Sequence, residues 1–202
     1  MANGFAIEDA AEIANVAAAI EVGKVGTSRV TLPEVNEFLN KNFGKKQKII
    51  SVMDLKKEIK DYHSNRIVFT NGCFDILHVG HVEYLQKAKE LGDVLIVAVN
   101  DDDSVRRLKG GNRPVNTLQD RMQVLAGLSC VDYVVSFSED TPYELIKKIR
   151  PGILVKGEDY KNKEVVGTDI VESYGGRVVL LPFVQGHSTT HIIEKIKDGG
   201  NK

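Results

Sequence analysis

The part of the sequence that most constrains the fold is residues 66–91, where a short apolar run meets a glycine turn and then a helical pattern. Residues 67–70 are mostly β-branched, which is typical of a strand buried on both faces of a parallel sheet. Because Gly72 has no Cβ, the backbone can turn sharply there and bring its N–H groups close to an anion. This stretch is therefore predicted to be a strand, a phosphate-binding loop and a helix.

Two histidines stand at the predicted start of this helix. His78 and His81 are three residues apart, so both lie on the same side of the first turn, and Gly80 between them leaves space above it. A helix N-terminus also offers unpaired N–H donors and a partial positive charge. Paired histidines at a helix start are often only capping or half-buried side chains, but the strand and glycine turn before them favour a phosphate site.

The composition is that of a globular protein in a reducing compartment. The 202 residues are 42% hydrophobic and 27% charged, and the net charge of −1 argues against binding nucleic acid through broad electrostatics. The two cysteines, Cys73 and Cys130, form neither a disulfide framework nor a metal-ligand spacing. Since no run of 18 apolar residues occurs and the N-terminus is acidic, we expect a cytoplasmic protein with no membrane or nucleic-acid partner.

Beyond the histidines, apolar runs alternate with helical patterns. The predicted strands lie at residues 67–70, 94–99, 133–135, 153–155 and 178–181. Such alternation predicts an α/β fold with a doubly wound, parallel, five-stranded, Rossmann-like sheet. Ligands bind beyond the carboxyl ends of the strands in such sheets. Polar segments follow four of the predicted strands, at residues 71–81, 100–103, 156–160 and 186–190, which favours one binding site at that edge.

The N-terminal part has a different pattern. Residues 1–40 are predicted to be a helical extension, with an alanine-rich helix over residues 6–22 and a short helix over residues 34–39 after Pro33. Forty residues make a poor independent core, and a dimerisation element is one alternative. The lysine-rich residues 41–50 are predicted to be a linker, and residues 51–202 to be the α/β domain.

A triphosphate in the loop would permit two reactions: transfer of its γ-phosphoryl group, or attack at its α-phosphorus with pyrophosphate leaving. The sequence lacks the Walker A pattern, which disfavours the first reaction. Attack at the α-phosphorus by a phosphate monoester needs no strong base, because the monoester is already mostly ionised near neutral pH. It needs positioning and cancellation of negative charge instead.

The predicted catalytic residues are His78, His81 and Lys109. The histidines would donate to the phosphates and stabilise the leaving pyrophosphate, and Lys109 lies on a glycine-containing loop that could close over them. A solvated loop residue is an equal alternative for Lys109. Asn100 and Asp101 could bind the ribose or a Mg²⁺ ion that bridges phosphates.

Two later segments offer further phosphate contacts. Lys156 directly follows a predicted buried strand and could neutralise a substrate or nucleotide phosphate, although a solvated turn residue is the alternative. Residues 186–190 precede the last predicted helix, so their hydroxyl and N–H groups are aimed like those of residues 72–81. Ser188 could also be a simple N-cap.

Residues 71–81, Asn-Gly-Cys-Phe-Asp-Ile-Leu-His-Val-Gly-His, resemble the HxGH signature of the nucleotidyltransferase superfamily that includes the cytidylyltransferases. The resemblance implies that this loop and both histidines hold a nucleoside triphosphate. It implies nucleotide-binding roles for Asn71, Gly72, Cys73, Phe74 and Gly80, and a substrate-binding role for Asp75. Arg121 matches an arginine of the superfamily and is expected to bind nucleotide, with a surface salt bridge as the alternative.

Residues 186–190 resemble the second signature of this superfamily, which contacts the triphosphate, so Gly186, Ser188, Thr189 and Thr190 are expected to bind nucleotide. Residues 155–160 resemble its Gly-Asp-aromatic segment, which implies that Lys156 and Asp159 bind substrate. The sequence departs from the pattern at His187, which leads the signature, at Ile193, where a cation often follows, and at Phe183, where related cytidylyltransferases carry an arginine.

The wider sequence resembles the adenylyltransferase domain of the ADP-heptose synthases. The resemblance is carried by Arg-Leu-Lys-Gly, Arg-Pro-Val-Asn, Val-Val-Ser-Phe, Glu-Asp-Thr-Pro, Leu-Val-Lys-Gly-Glu-Asp-Tyr and Ser-Thr-Thr-His-Ile-Ile between residues 107 and 193. It implies that AMP is moved from ATP, with Mg²⁺, to D-glycero-β-D-manno-heptose 1-phosphate, giving ADP-heptose and pyrophosphate for lipopolysaccharide core synthesis. A homo-oligomer with these small-molecule substrates is expected.

Residues 14–18 and 22–28 resemble the end of the ribokinase-type kinase domain found in bifunctional heptose kinase/adenylyltransferases. The Gly-Ala-Gly-Asp motif of those kinases is absent from the sequence, so kinase activity is not expected. Two other functions stay open: a CTP-dependent cytidylyltransferase that acts on another phosphorylated alcohol, and a nucleotide-binding assembly protein without turnover.

Overall fold

The computed structural model describes residues 7–24, 29–35, 38, 47–161, 163–182 and 189–199. The chain divides into two compact units, Met1–Lys46 and Gln47–Lys202. The first contains helix α1 (Ile7–Val22) and a helical turn at residues 32–35. Thr31 caps this turn, since its N–H donates to Glu34 Oε2 over 2.7 Å, and Lys24 pairs with the same carboxylate. The predicted helical character of this segment is confirmed where it is described.

The second unit is built on a sheet of five parallel strands, as predicted. They are β1 (Ile67–Gly72), β2 (Val94–Asn100), β3 (Tyr133–Phe137), β4 (Ile153–Gly157) and β5 (Arg177–Leu181). Their order is β3-β2-β1-β4-β5, with Val68 of β1 opposite both Leu95 of β2 and Ile153 of β4. The chain therefore adds β2 and β3 on one side of β1 first, and then β4 and β5 on the other side. The point at which this direction reverses lies between β1 and β4.

Helices connect the strands and cover both faces of the sheet. They are α2 (Val52–Glu58), α3 (Val79–Glu90), α4 (Asp102–Lys109), α5 (Leu118–Ala126), α6 (Tyr143–Ile149), α7 (Thr168–Ser173) and α8 (Thr189–Gly199). Side-chain caps fix where three of them begin: the side chains of Ser51, Asp101 and Thr117 each accept a hydrogen bond from the N–H three residues later. No helix in the described ranges is long and apolar enough to cross a bilayer.

Two apolar clusters lie on opposite faces of the sheet, because successive strand residues point to opposite sides. One cluster packs strand residues against α2, α6 and α7, and includes Phe69, Ile96, Leu154, Leu55, Ile146 and Val171. The other packs strand residues against α3 and α5, and includes Val68, Leu95, Ile153, Leu85 and Leu125. Every residue of β2 is buried, which explains its continuous apolar sequence.

Residues 47–50 belong to this unit and not to a linker, which corrects the predicted boundary at residue 51. Lys48 O accepts from Val134 N over 2.8 Å, and Ile50 N donates to Val134 O over 3.2 Å, so the segment pairs with the outer edge of β3. Lys48 Nζ also donates to Leu128 O over 2.7 Å. The lysine-rich composition suggested solvation, but the backbone of this segment is used in the sheet.

Gly152 sets the position of β4 and therefore of Lys156. Its N–H donates to Ser64 O over 2.7 Å, and a Cβ at this position would lie 2.4 Å from both Ser64 O and Asn65 Cα. We expect Gly152→Ala to lower the free energy of unfolding by about 1–3 kcal/mol through overpacking, measured by urea denaturation. Gly111→Ala is the matched control, because a Cβ there meets nothing within 4 Å. Equal stability of the two variants would contradict this account.

Candidate active site

A cleft of about 520 Å³ lies over the carboxyl ends of the strands, where the fold predicts a ligand site. It is lined by many of the residues singled out from the sequence: Asn71, Gly72, Cys73, Phe74, Asp75, His81, Asn100, Lys109, Lys156 and Thr189. The topology thus brings together segments that are far apart in the chain. The roles of the individual residues remain predictions.

The two histidines lie where the sequence placed them, at the start of α3. His78 is the N-cap residue, with extended backbone at φ −142° and ψ 170°, and its carbonyl accepts from His81 N over 2.9 Å. The two imidazole rings are 3.9 Å apart between centroids. The Phe74 ring lies 5.4 Å from the His81 ring, and Phe74 itself has a left-handed backbone with φ 46°. Gly80 is buried in the same first helical turn.

The His81 imidazole is held neutral. Burial lowers its pKa from 6.5 to about 4, and the nearby His78 contributes in the same direction. Its Nδ1 is buried and has no hydrogen-bond partner within the described part of the chain. At neutral pH this side chain is therefore an uncharged group with unused hydrogen-bonding capacity at the edge of the cleft.

Lys156 and Asn71 meet at the point where the sheet order reverses. Lys156 Nζ donates to Asn71 Oδ1 over 2.5 Å and to Asn71 O over 3.3 Å, so the lysine of β4 reaches across to the end of β1. The same ammonium group lies 5.2 Å from the centre of the Tyr160 ring. Lys156 is almost fully buried, so it is not the solvated turn residue of the alternative interpretation.

The residues that follow β2 divide between the cleft and the start of α4. Asn100 is buried at the cleft and donates from Nδ2 to Ser104 Oγ over 3.0 Å. Asp101 instead caps α4, because its Oδ1 accepts from Ser104 N over 2.7 Å, and it does not line the cleft. Lys109 ends α4 and is exposed, and Gly110 follows it with φ 95°.

Arg121 lies beneath the cleft and does not line it. Its side chain is 0% exposed and donates to Cys73 O over 2.5 Å, to Asn116 O over 3.2 Å and to Asp102 Oδ1 over 2.8 Å. Both interpretations drawn from the sequence, direct nucleotide contact and a surface salt bridge, therefore differ from the observed geometry. The guanidinium positions the loop that carries Cys73.

Asp75 has a similar internal role. Its carboxylate pairs with Arg113 and accepts from Val115 N over 2.8 Å and from Asn116 N over 3.0 Å. The side chain thus fixes the loop between α4 and α5 against the loop after β1. Its predicted contact with substrate would compete with these bonds.

Some cleft residues lie outside the predicted segments, namely Tyr84, Leu108, Arg113, Asp140, Thr141, Pro142 and Val166, while Gly157 and Tyr160 belong to the predicted segment 156–160 but were given no individual role. Residues 140–142 follow β3, the one strand end to which the sequence analysis assigned no candidate, although the same topological rule applied to it. Asp140 is held by Arg107, whose Nε donates to it over 2.7 Å.

The start of α8 reaches the loop after β1. Thr189 Oγ1 donates to Ile76 O over 3.3 Å, so the second predicted signature borders the first. Gly186 and Ser188 lie outside the described residues, as do the side chains of Asp159 and Thr190, and their predicted contacts stay predictions.

The buried His81 imidazole makes stability depend on pH. Its pKa is lower in the folded protein than in the unfolded chain, so the unfolded chain takes up a proton first and stability falls as pH drops from about 6.5 towards 4. We expect His81→Gln to reduce the loss of unfolding free energy between about pH 7 and pH 5 by on the order of 1–2 kcal/mol. His63→Gln, at an exposed site outside the cleft, is the control. Identical pH profiles for wild type and His81→Gln would contradict this.

Comparison with known proteins agrees with the geometry. The family model described as cytidylyltransferase-like matches residues 69–195, from β1 into α8. The bifunctional protein HldE of Helicobacter hepaticus is 54% identical over 202 residues, which cover 98% of this chain and 41% of that protein. The HldE of Campylobacter concisus is 52% identical over 203 residues, covering 100% of this chain and 42% of that protein. The chain thus spans about two-fifths of the length of these curated relatives.

Among solved structures, the lipopolysaccharide core biosynthesis protein from Thermoplasma volcanium is similar over 60% of this chain and 98% of that one, with 30% identity and a TM-score of 0.49. The family model covers more than half of the chain, including the loop after β1, helix α3 and all but the first two residues of β1. The predicted membership of the superfamily is confirmed: this chain belongs to the cytidylyltransferase-like family of nucleotidyltransferases.

Proposed function

We propose that this protein transfers AMP from ATP to D-glycero-β-D-manno-heptose 1-phosphate, giving ADP-heptose and pyrophosphate for lipopolysaccharide core synthesis. The observation that carries the proposal is the imidazole pair at the start of α3, of which His81 lines the cleft together with Lys109 and Lys156. Imidazole N–H groups, a helix N-terminus and two ammonium groups are the donors that a triphosphate needs. The resemblance to the ADP-heptose synthases supplies the identity of the sugar.

The chemistry requires no base from the protein. A phosphate oxygen of the acceptor forms a bond to the α-phosphorus while the bond from that phosphorus to the bridging oxygen breaks, and the electron pair leaves with pyrophosphate. His78 and His81 would donate to the oxygens on which this charge gathers, and the neutral His81 imidazole can do so without prior desolvation of a cation. Lys109, on the exposed end of α4 and next to Gly110, is placed to approach the phosphates as the cleft fills.

Mg²⁺ fits this proposal as part of the substrate. The described carboxylates that line the cleft are already engaged, Asp75 with Arg113 and Asp140 with Arg107. In addition, no cluster of three or more potential ligands among His, Cys, Asp and Glu occurs within the described ranges. Since Mg²⁺ is commonly carried by the phosphates of a nucleotide, we assign it to MgATP and to no site on the protein.

The family description favours a second candidate, a CTP-dependent cytidylyltransferase. Phe183 stands where related cytidylyltransferases carry an arginine, so the superfamily pattern does not decide between ATP and CTP. The test is pyrophosphate release from ATP or CTP with a panel of sugar 1-phosphates. We expect the highest kcat/KM for ATP with the heptose 1-phosphate. A preference for CTP would support the second candidate, and ATP binding without pyrophosphate release would indicate a non-catalytic protein.

The role of the histidines gives a mutational prediction. We expect His81→Ala to lower kcat at least tenfold, equivalent to about 1.4 kcal/mol or more of transition-state stabilisation, with unchanged circular dichroism. His63→Ala is the control, since His63 is exposed and does not line the cleft. Near-normal turnover in His81→Ala would contradict the proposed role of the imidazole pair.

A further inference from the structure

Arg113 is a cation at the cleft to which the sequence analysis assigned no role. It lies on the loop between α4 and α5, lines the cleft, and has a side chain that is 19% exposed. Its Nε donates to Asp75 Oδ2. Within the described part of the chain, its two terminal nitrogens donate to no other group. Asp75 therefore binds the Nε edge of the guanidinium, and the two terminal nitrogens are available to a ligand in the cleft.

Asp75 is built to hold this guanidinium. Its side chain is 1% exposed, and a buried carboxylate needs a charged or hydrogen-bonding partner. Oδ1 accepts hydrogen bonds from Val115 N and Asn116 N, while Oδ2 accepts one from Arg113 Nε. Asn116 Nδ2 in turn donates a hydrogen bond to the Asp75 backbone carbonyl oxygen over 2.6 Å. Because both carboxylate oxygens are engaged, Asp75 is better suited to orient Arg113 than to bind a substrate.

Arg113 reaches the cleft from a different segment of the chain than the histidines and Thr189. The histidines and Thr189 belong to the loop after β1 and to the start of α8, which follows β5. Arg113 comes from the segment after β2, and Asn100, Asp140 and Thr141 follow β2 and β3. A triphosphate held by the histidines and Thr189 would leave the part of the cleft lined by Arg113, Asp140 and Thr141 for the acceptor.

The reaction needs a fixed cation in that part of the cleft. The acceptor phosphate and the α-phosphate are both negatively charged, and their approach is opposed unless a positive group lies beside them. A guanidinium binds phosphate through two parallel N–H groups and so also fixes which oxygen faces the α-phosphorus. Arg121 is fully engaged below the cleft, and Lys109 is exposed at a helix end. Lys156 is bonded to Asn71, whereas Arg113 is oriented by a buried carboxylate that engages only its Nε.

We propose that Arg113 binds the phosphate of the acceptor substrate and that Asp75 is a positioning residue that acts through Arg113. This inference rests on the proposed nucleotidyl transfer and names a ligand for its second substrate. In the transfer itself the acceptor oxygen bonds to the α-phosphorus, the bond from that phosphorus to the bridging oxygen breaks, and pyrophosphate leaves with the electron pair.

The experiment is steady-state kinetics of Arg113→Lys with the whole chain. The lysine keeps a positive charge near Asp75 but cannot offer two parallel N–H groups. We expect the KM for the heptose 1-phosphate to rise at least tenfold, with the KM for ATP changed less than twofold. Arg106→Lys is the matched control, since Arg106 is exposed, pairs with Asp103 and does not line the cleft. An equal rise in both KM values, a rise for ATP alone, or no change would overturn the assignment.

Asp75→Asn provides the second arm. An asparagine oxygen can still accept from Val115 N and Asn116 N, but it no longer holds Arg113 by charge. We expect the same selective rise in the acceptor KM, and a double variant no worse than the more impaired single variant. Additive effects would mean that Asp75 acts independently of Arg113 and would overturn its positioning role.

Calorimetry separates this inference from the proposed function. If wild type releases no pyrophosphate with any sugar 1-phosphate, the proposed function fails. The heptose 1-phosphate is then titrated into the protein saturated with a non-hydrolysable ATP analogue. Weaker binding to Arg113→Lys than to wild type, with unchanged binding of the analogue, would support the role of Arg113. Equal binding to both proteins, or no binding to wild type, would overturn it.

Discussion

One buried guanidinium holds the walls of the cleft together. Arg121 donates to the loop after β1, to the loop before α5 and to the first turn of α4, through Cys73 O, Asn116 O and Asp102. A buried charged group that loses a partner typically costs several kcal/mol, so these contacts favour one arrangement of the three segments. The positions of the cleft residues on these three segments therefore depend on this arrangement. Arg121 therefore matters to the site although it does not face it.

The cations of the cleft differ in how firmly they are held. Lys156 is buried and bonded to the end of β1, and Arg113 is fixed by Asp75, whereas Lys109 is exposed. The His81 imidazole carries no charge at neutral pH, because burial lowers its pKa to about 4. Groups that are fixed in advance can stabilise charge that develops in a transition state without having to reorganise. The cleft thus combines two fixed cations with an exposed lysine and an uncharged imidazole.

The features of the fold that are set by local sequence pattern could be predicted from the sequence. The strand, loop and helix around residues 66–91, the five parallel strands and the position of the histidines all follow from hydrophobic periodicity and from the rule for strand ends. The internal roles of Arg121 and Asp75 could not be predicted, since their partners lie 48 and 38 residues away along the chain, at Cys73 and Arg113. Asp140 was missed for another reason: its motif Glu-Asp-Thr-Pro was used only for the family resemblance, and the strand-end rule was not applied to β3. Long-range hydrogen bonds are set by the packing of helices on the sheet, which periodicity does not specify.

The pairing of residues 48–50 with β3 has a consequence for how the protein behaves in concentrated solution. A strand at the border of a sheet presents unsatisfied peptide groups on which another chain can add, and this is a common route to aggregation. Lys48 and Ile50 occupy peptide groups of Val134 on that border, and the charged Lys48 side chain is tied down beside it. Residues 48–50 thus cover peptide groups at the β3 edge of the sheet and make it less accessible to another copy of the chain.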